Sequence, residues 1–256
     1  MRFFAFATDY DGTLAHDGFV APSTVLALER LRASGRRTLL VTGRELRDLQ
    51  RVFPRLDLFD RVVAENGAVL YRPHGQRRGE HGSGEQAAMK AGPQNEVLLC
   101  EPPPAVFLAA LRACNVPFSV GRAIVATWEP HHLAVLETIR RLGLELQVTF
   151  NKGAVMVLPT SVNKESGLLA ALDELGLSPR NAVAVGDAEN DHAFLGACAC
   201  GVAVANALPM LKERADLVLN GERGDGVEEL IDRLLADDLA SVRRSTARAP
   251  LNRRRA

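Results

Sequence analysis

Short runs of apolar residues, each stopped by a glycine or by polar side chains, recur along this chain at 3–8, 37–43, 61–67, 181–186, 201–204 and 217–219. Between them lie stretches with helical spacing: Val25, Leu28 and Leu31 before Gly35, then 45–53, 163–175, 191–198, 208–214 and 226–235. Runs that are apolar throughout suit strands covered on both faces. Strand alternating with helix at this spacing predicts an α/β fold, a parallel sheet with right-handed crossovers.

The rhythm breaks at 73–95, where Pro, Gly, Gln, Arg and His dominate, and a different pattern then runs to residue 160. A helix at 104–114, an alternating stretch from Phe118 to Thr127, a helix at 130–142 and a strand pair folded at Asn151-Lys152-Gly153 read as two helix-plus-strands units. They predict a small α+β unit with an antiparallel sheet, inserted into the α/β core. The expected division is a core of residues 1–72 and 161–236, an insertion of 73–160, and a basic tail or linker of 237–256 with little to bury. A chain of 256 residues, 47% hydrophobic, is long enough for both units.

Lys plus Arg and Asp plus Glu each number 31, so no net field recruits nucleic acid or an anionic membrane, and any preference for anions must be local. The basic tail is the one segment with the charge to meet nucleic acid. Cys100, Cys114, Cys198 and Cys200 follow no zinc spacing and read as reduced core residues. No run reaches the roughly 18 apolar residues of a membrane span, and no leader-like apolar region precedes the first acid. A cytoplasmic protein is expected.

Polar groups of one kind gather where the predicted strands end. Asp9 and Asp11 follow the first run and share one side of the strand as it gives way to the Gly12 turn. Two like charges so placed cost stability unless a cation lies between them or one carboxyl is protonated. The plain alternative is a solvated acidic turn. Thr42-Gly43-Arg44 offers a hydroxyl and free N–H groups at a helix N-terminus, which suits an anion but is also common turn chemistry. Lys164 stands in a first helical turn, where the dipole disfavours a cation, so either a partner holds it or it is a surface lysine. Asp187 ends the run 181–186, with Asn190 and Asp191 close behind at the start of a helix, where acids also favour the dipole. All four segments fall at the carboxyl ends of parallel strands, the edge on which open α/β sheets bind ligands.

Together, Asp9-Tyr10-Asp11-Gly12-Thr13, Thr42-Gly43-Arg44, Asn163-Lys164 and Gly186-Asp187-Ala188-Glu189-Asn190-Asp191 resemble the motifs of the haloacid dehalogenase superfamily of phosphohydrolases, over residues 3–235. The large insertion and Glu65-Asn66-Gly67-Ala68 resemble its Cof-type sugar-phosphatase branch, which includes trehalose-phosphate and sucrose-phosphate phosphatases and phosphomannomutases. The resemblance implies a Rossmann-like core with an inserted α+β cap, and a Mg²⁺-dependent phosphomonoester hydrolase. It implies Asp9 as the nucleophile that forms an aspartyl-phosphate, and Asp11 as the group that protonates the leaving oxygen and then activates water. Mg²⁺ would lie among the Asp9 carboxylate, the Asp11 carbonyl and Asp187, with Asn190 or Asp191 nearby. Thr42, Gly43 and Lys164 would neutralise the phosphoryl oxygens.

Because the core sees only the phosphoryl group, the insertion is expected to choose the substrate, a sugar phosphate or similar small phosphorylated metabolite. Arg44, Asn66 and Arg122 are expected to touch its leaving group. Trp128 reads as a core or hinge tryptophan ahead of a sugar-stacking one, and His131-His132 as surface residues. A phosphomutase of the phosphomannomutase type is the nearest alternative, but it needs a basic cluster beyond Arg122. A phosphatase-like regulatory or sensor module of a larger fused protein, joined through the basic tail, is the alternative of a different class.

Overall fold

The computed structural model describes residues 1–73 and 95–242. The chain opens with β1 (Ala5–Thr8), α1 (Pro22–Ala33), β2 (Arg37–Val41), α2 (Leu46–Val52), β3 (Arg61–Ala64), β4 (Val69–Tyr71) and β5 (Glu96–Leu98). A second unit follows as α3 (Ala105–Ala113), β6 (Ser119–Val120), β7 (Val125–Trp128), α4 (His132–Leu142), β8 (Leu146–Asn151) and β9 (Ala154–Pro159). The chain then returns with α5 (Lys164–Glu174), β10 (Ala182–Gly186), α6 (His192–Ala197), β11 (Cys200–Ala203), α7 (Pro209–Lys212), β12 (Leu217–Val218) and α8 (Arg223–Asp237).

The main sheet has the order β12-β11-β10-β1-β2-β3-β4-β5. From β12 to β3 it is parallel, with Thr8 level with Val185 on one side and Leu40 on the other. Ala5, Phe6, Ala7 and Thr8 are all fully buried, as continuous apolar runs require when both faces are covered. The chain winds away from β1 in both directions, so the crevice at the carboxyl ends of β10, β1 and β2 is where this topology leaves room for a ligand.

Two expected boundaries shift. β4 and β5 run antiparallel at the sheet edge, and β5 lies inside the span 73–160 expected as the insertion, so the second unit begins after Leu98. Three residues with partly exposed side chains carry no periodic signal of their own. At the other end the core continues past 236: Leu239 is buried, Val242 packs on the core, and Asp238 accepts from the Arg2 and Phe3 N–H groups and from Arg36. The expected loop falls mostly at 74–94 and the rest of the basic tail at 243–256, outside the described residues.

The second unit is a four-stranded antiparallel sheet, β6-β7-β9-β8, with α3 and α4 on one face around Phe107, Leu111, Val125, Val135 and Val157. Its other face turns toward the core, with Ala126 paired to Met156 on it. The β8–β9 connection is the hairpin that Asn151-Lys152-Gly153 predicts: Lys152 and Gly153 both take positive φ, 46° and 88°, as a two-residue type I′ turn demands. Trp128 is a correction. It is 53% exposed at the end of β7, against the His131 ring, and belongs to no core.

Candidate active site

Asp9 follows β1 directly, and its N–H bonds Val185 O at 3.0 Å, carrying the β1–β10 ladder one residue further. Asp187 follows β10 in the same way. Asp191 folds back on it, with Oδ2 accepting from the N–H groups of Asp187 (2.8 Å) and Ala188 (2.9 Å). Gly186 permits this return, because a Cβ there would lie 2.6 Å from Asp191 Oδ2. Thr13 Oγ1 donates to Asp187 Oδ1 at 2.8 Å. One carboxylate oxygen from each of Asp9, Asp187 and Asp191 lies within 4.8 Å of the others, and all three residues are buried.

Lys164 enters this cluster from the first turn of α5. A capping box fixes that turn, with Asn163 Oδ1 accepting from the Ser166 N–H at 2.9 Å and Ser166 Oγ accepting from the Asn163 N–H at 3.0 Å. Gly67 and Gly167 let α5 approach the loop after β3 closely. The Lys164 ammonium donates to Asp9 Oδ1 at 2.5 Å and to Asp191 Oδ1 at 2.6 Å, which is what holds a lysine where the helix dipole opposes it. Burial works against its charge, but Asp191 and Asp9 outweigh burial and hold it above the ordinary lysine range. Burial pushes the Asp9 carboxyl well above its usual range, with Asp191 and Asp187 pushing the same way against Lys164. Asp187 is raised as well, chiefly by burial.

Such a cluster is short of positive charge, and hard oxygen donors around a small space fit a divalent cation. One orphaned acceptor supports that fit: Asn190 Oδ1 is buried without a partner among the described residues, although Asn190 Nδ2 donates to Asn66 Oδ1 at 3.2 Å. Asp11 stands apart. Its carboxylate is forked by Arg44 through Nε and Nη2, both at 2.7 Å, which leaves its backbone carbonyl as the expected contribution to a metal. Arg44 also donates to Asp48 at 2.6 Å, and its hydrogen bonds to Asp11, ahead of other causes, hold its guanidinium above the ordinary range.

Thr42 is buried at the end of β2, its Oγ1 accepting the Arg44 N–H at 3.1 Å, and the loop is tied to its neighbour by Asn66 N–H to Thr42 O at 2.9 Å. A cleft of about 500 Å³ opens there between α2 and the second unit, lined by Gly43, Arg44, Arg47, Asp48, Arg51, Ile124 and Ala126 among others. Asp9, Asp187, Asn190, Asp191 and Lys164 therefore gather with Thr42, Gly43 and Asn66 at one edge. Arg122 is not brought into this group: its side chain borders a smaller cleft with Arg47, and its N–H donates to Glu65.

Three residues join the second unit to the core in ways the sequence did not announce: Glu65 opens the Glu65-Asn66-Gly67-Ala68 motif but had no expected role, and Met156 and Lys152 belong to no motif. Glu65 meets the N–H groups of 122–124, and Met156 Sδ stands over Gly43, 3.2 Å from where a Cβ would be. Lys152 Nζ pairs with Asp187 Oδ2. Its only sequence signal was the turn it occupies.

A buried acid cluster bridged by a lysine, at the carboxyl edge of a parallel sheet and beneath an α+β cap, defines a hydrolase that works on phosphoryl groups. The chain belongs to the haloacid dehalogenase-like hydrolases, whose family pattern matches residues 6–86 and 135–231, and it is a phosphatase. It is 30% identical over 234 residues to a phosphoglycolate phosphatase of Methanothermobacter thermautotrophicus, covering 90% of this chain and 98% of that protein. It is 27% identical over 238 residues to phosphoglycolate phosphatase 2 of Saccharolobus solfataricus, covering 90% and 91%. Its fold is similar to that of a subclass IIB sugar phosphatase, with a TM-score of 0.69 at 18% identity over 90% of this chain and 98% of the other. Among the described residues no helix is long and apolar enough to cross a membrane.

Proposed function

We propose that this phosphatase is a Mg²⁺-dependent phosphomonoester hydrolase that works through an aspartyl-phosphate on Asp9. The observation that carries the reading is the buried Lys164 ammonium bridging Asp9 and Asp191 beside Asp187. Lys164 pins Asp9 Oδ1, and among the described residues no donor engages the other oxygen, which leaves it to attack phosphorus as the bond to the leaving oxygen breaks. Asp11, both of whose oxygens accept from Arg44 here, must leave that fork and take up a proton from solvent before it can give one to that leaving oxygen; as a carboxylate again it then takes one from the water that cleaves the aspartyl-phosphate. Thr42, the Gly43 N–H and Lys164 take the phosphoryl oxygens as charge shifts among them. When bound, Mg²⁺ supplies further neutralisation of those oxygens, and Asp9, Asp187, Asn190 and Asp191, with the Asp11 carbonyl, are the residues that would hold it.

The unit of β6–β9 acts as the cap that selects the leaving group. The substrate is a small phosphorylated metabolite, 2-phosphoglycolate first among those to test, with sugar phosphates next. Two relatives named for phosphoglycolate support an anionic leaving group, and Arg47 lines the cleft beside Arg44 and Arg51, which are already paired with Asp11 and Asp48. A panel of phosphorylated metabolites with Mg²⁺, assayed for released phosphate and for rearranged product, tests this. Phosphate release that disappears in Asp9→Asn, with a phosphate analogue trapped on Asp9 of the wild type, is expected. Trapping on Asp11, or product isomerised without phosphate release, overturns it.

A further inference from the structure

Two lysines serve the three buried carboxylates, and they come from different units. Lys164 belongs to the core and is enclosed. Lys152 is the first turn residue of the β8–β9 hairpin, its side chain 45% exposed, yet its Nζ reaches the fully buried Asp187. The turn aims it there, and its N–H points at Glu189 Oε2, 3.4 Å away. On the core side Gly12 leaves the space, since a Cβ there would lie 3.0 Å from Lys152 Nζ and would press on the Asp187 carboxylate.

The other oxygen of Asp187 is already taken by Thr13, so a cation entering the cluster competes with the Lys152 ammonium for Oδ2. Like charges on one carboxylate oxygen repel, and linkage makes the antagonism mutual. Once displaced, the ammonium stays tethered by its hairpin at the mouth of the site, where an anion on the substrate is the next partner available. Resting on the reading of the site as a Mg²⁺ phosphatase, we propose that Lys152 is a specificity-determining residue. It holds Asp187 while the metal is absent and binds an anionic leaving group, such as a carboxylate, once metal and substrate are in place. The core supplies phosphoryl chemistry, and the cap supplies one charge that reads what the phosphoryl group is attached to.

The test uses the full chain with Lys152→Met, which keeps most of the stem and removes the charge, and Lys152→Arg, which keeps the charge. Mg²⁺ alone is titrated calorimetrically into each metal-free protein, and kcat/KM is measured for 2-phosphoglycolate and for 4-nitrophenyl phosphate. Lys152→Met is expected to bind Mg²⁺ about tenfold more tightly and to lose about tenfold in the ratio of kcat/KM for 2-phosphoglycolate over the aryl ester, carried by KM. Lys152→Arg is expected to stay nearer the wild type in both. Unchanged or weaker Mg²⁺ binding by Lys152→Met overturns the competition, and an equal loss on the two esters overturns the anion-binding role. If the wild type hydrolyses neither ester, the choice of 2-phosphoglycolate fails instead, and the calorimetry still decides whether Lys152 and the cation compete.

Discussion

Glu65, one residue past β3, accepts three backbone N–H bonds from the cap: Arg122 at 2.8 Å, Ala123 at 2.8 Å and Ile124 at 3.0 Å. A carboxylate cradled by amide donors is a strong, directional contact, and here it ties two separate sheets together. Gly121 is required over it, because a Cβ would lie 2.7 Å from the carboxylate. Glu65 and Asn66 both sit in the left-handed region, with φ of 51° and 55°. That strain turns successive side chains in different directions, Glu65 to the cap and Asn66 to Asn190.

Glu65→Gln keeps one acceptor but removes the charge and turns an amide N–H₂ toward other donors. A loss of about 1–3 kcal/mol of stability in chemical denaturation is expected, with faster amide exchange at 121–124 and a KM that rises more than kcat falls. Exchange at 121–124 as slow as in the wild type would show that Glu65 does not hold the cap.

Lys164→Met leaves Asp9 and Asp191 facing each other with no ammonium between them. Removing one partner from a buried ionic network costs about 3–5 kcal/mol, and thermal unfolding without metal should show it. Adding Mg²⁺ should recover part of the loss by replacing the missing charge. Turnover should stay down by roughly 10²–10³, the scale of losing one donor to a developing anion. Near-normal turnover in a folded Lys164→Met protein would remove Lys164 from the phosphoryl site.

The metal-free protein should lose stability as pH rises, and the sign follows from Asp9 and Asp187. Burial raises both carboxyls in the folded state, so the fold binds protons over a range where the unfolded chain has released them. Their contribution is complete below the ordinary carboxylate range and declines as pH climbs through the folded values. Asp57, held low by the Arg55 hydrogen bond, acts oppositely and only in acid. Comparing wild type with Asp9→Asn by urea denaturation from about pH 4 to pH 8 isolates the Asp9 share. The difference should fall with pH, and saturating Mg²⁺ should flatten it. A flat difference without metal would mean that Asp9 is ionised throughout.

The gathering of the candidate site at one edge was legible because these residues directly follow a strand or open a helix, and the parallel sheet brings those positions together whatever the details of packing. Asp9, Thr42, Lys164 and Asp187 are of that kind. Contacts between core and cap are not, since Glu65 and Lys152 acquire partners only when two units with no sequence continuity meet. The Asp9–Asp11 pairing was half read: the two carboxylates share a strand end, but Lys164 takes one and Arg44 the other. β4 and β5 went unseen because three-residue antiparallel edge strands are shorter than any period that could announce them.

Gly186 offers the sharpest test of how the site is built, because Asp191 depends on it for every contact. A Cβ at 186 would lie 2.6 to 2.8 Å from the Oδ2, Cγ and Cβ atoms of Asp191, so Gly186→Ala must push that side chain away from the Asp187 and Ala188 N–H groups and from Lys164. Overpacking of this kind costs about 1–3 kcal/mol, and the displaced carboxylate should weaken Mg²⁺ binding in calorimetry as well. Gly196 in α6 is the control, since nothing lies within 4 Å of its Cβ position. Gly196→Ala should be neutral or stabilising by about 0.4–1 kcal/mol, with the Mg²⁺ titration unchanged. If Gly186→Ala bound Mg²⁺ as the wild type does, Asp191 would have to be a cap for its own turn and nothing more, and the cation would rest on Asp9 and Asp187 alone.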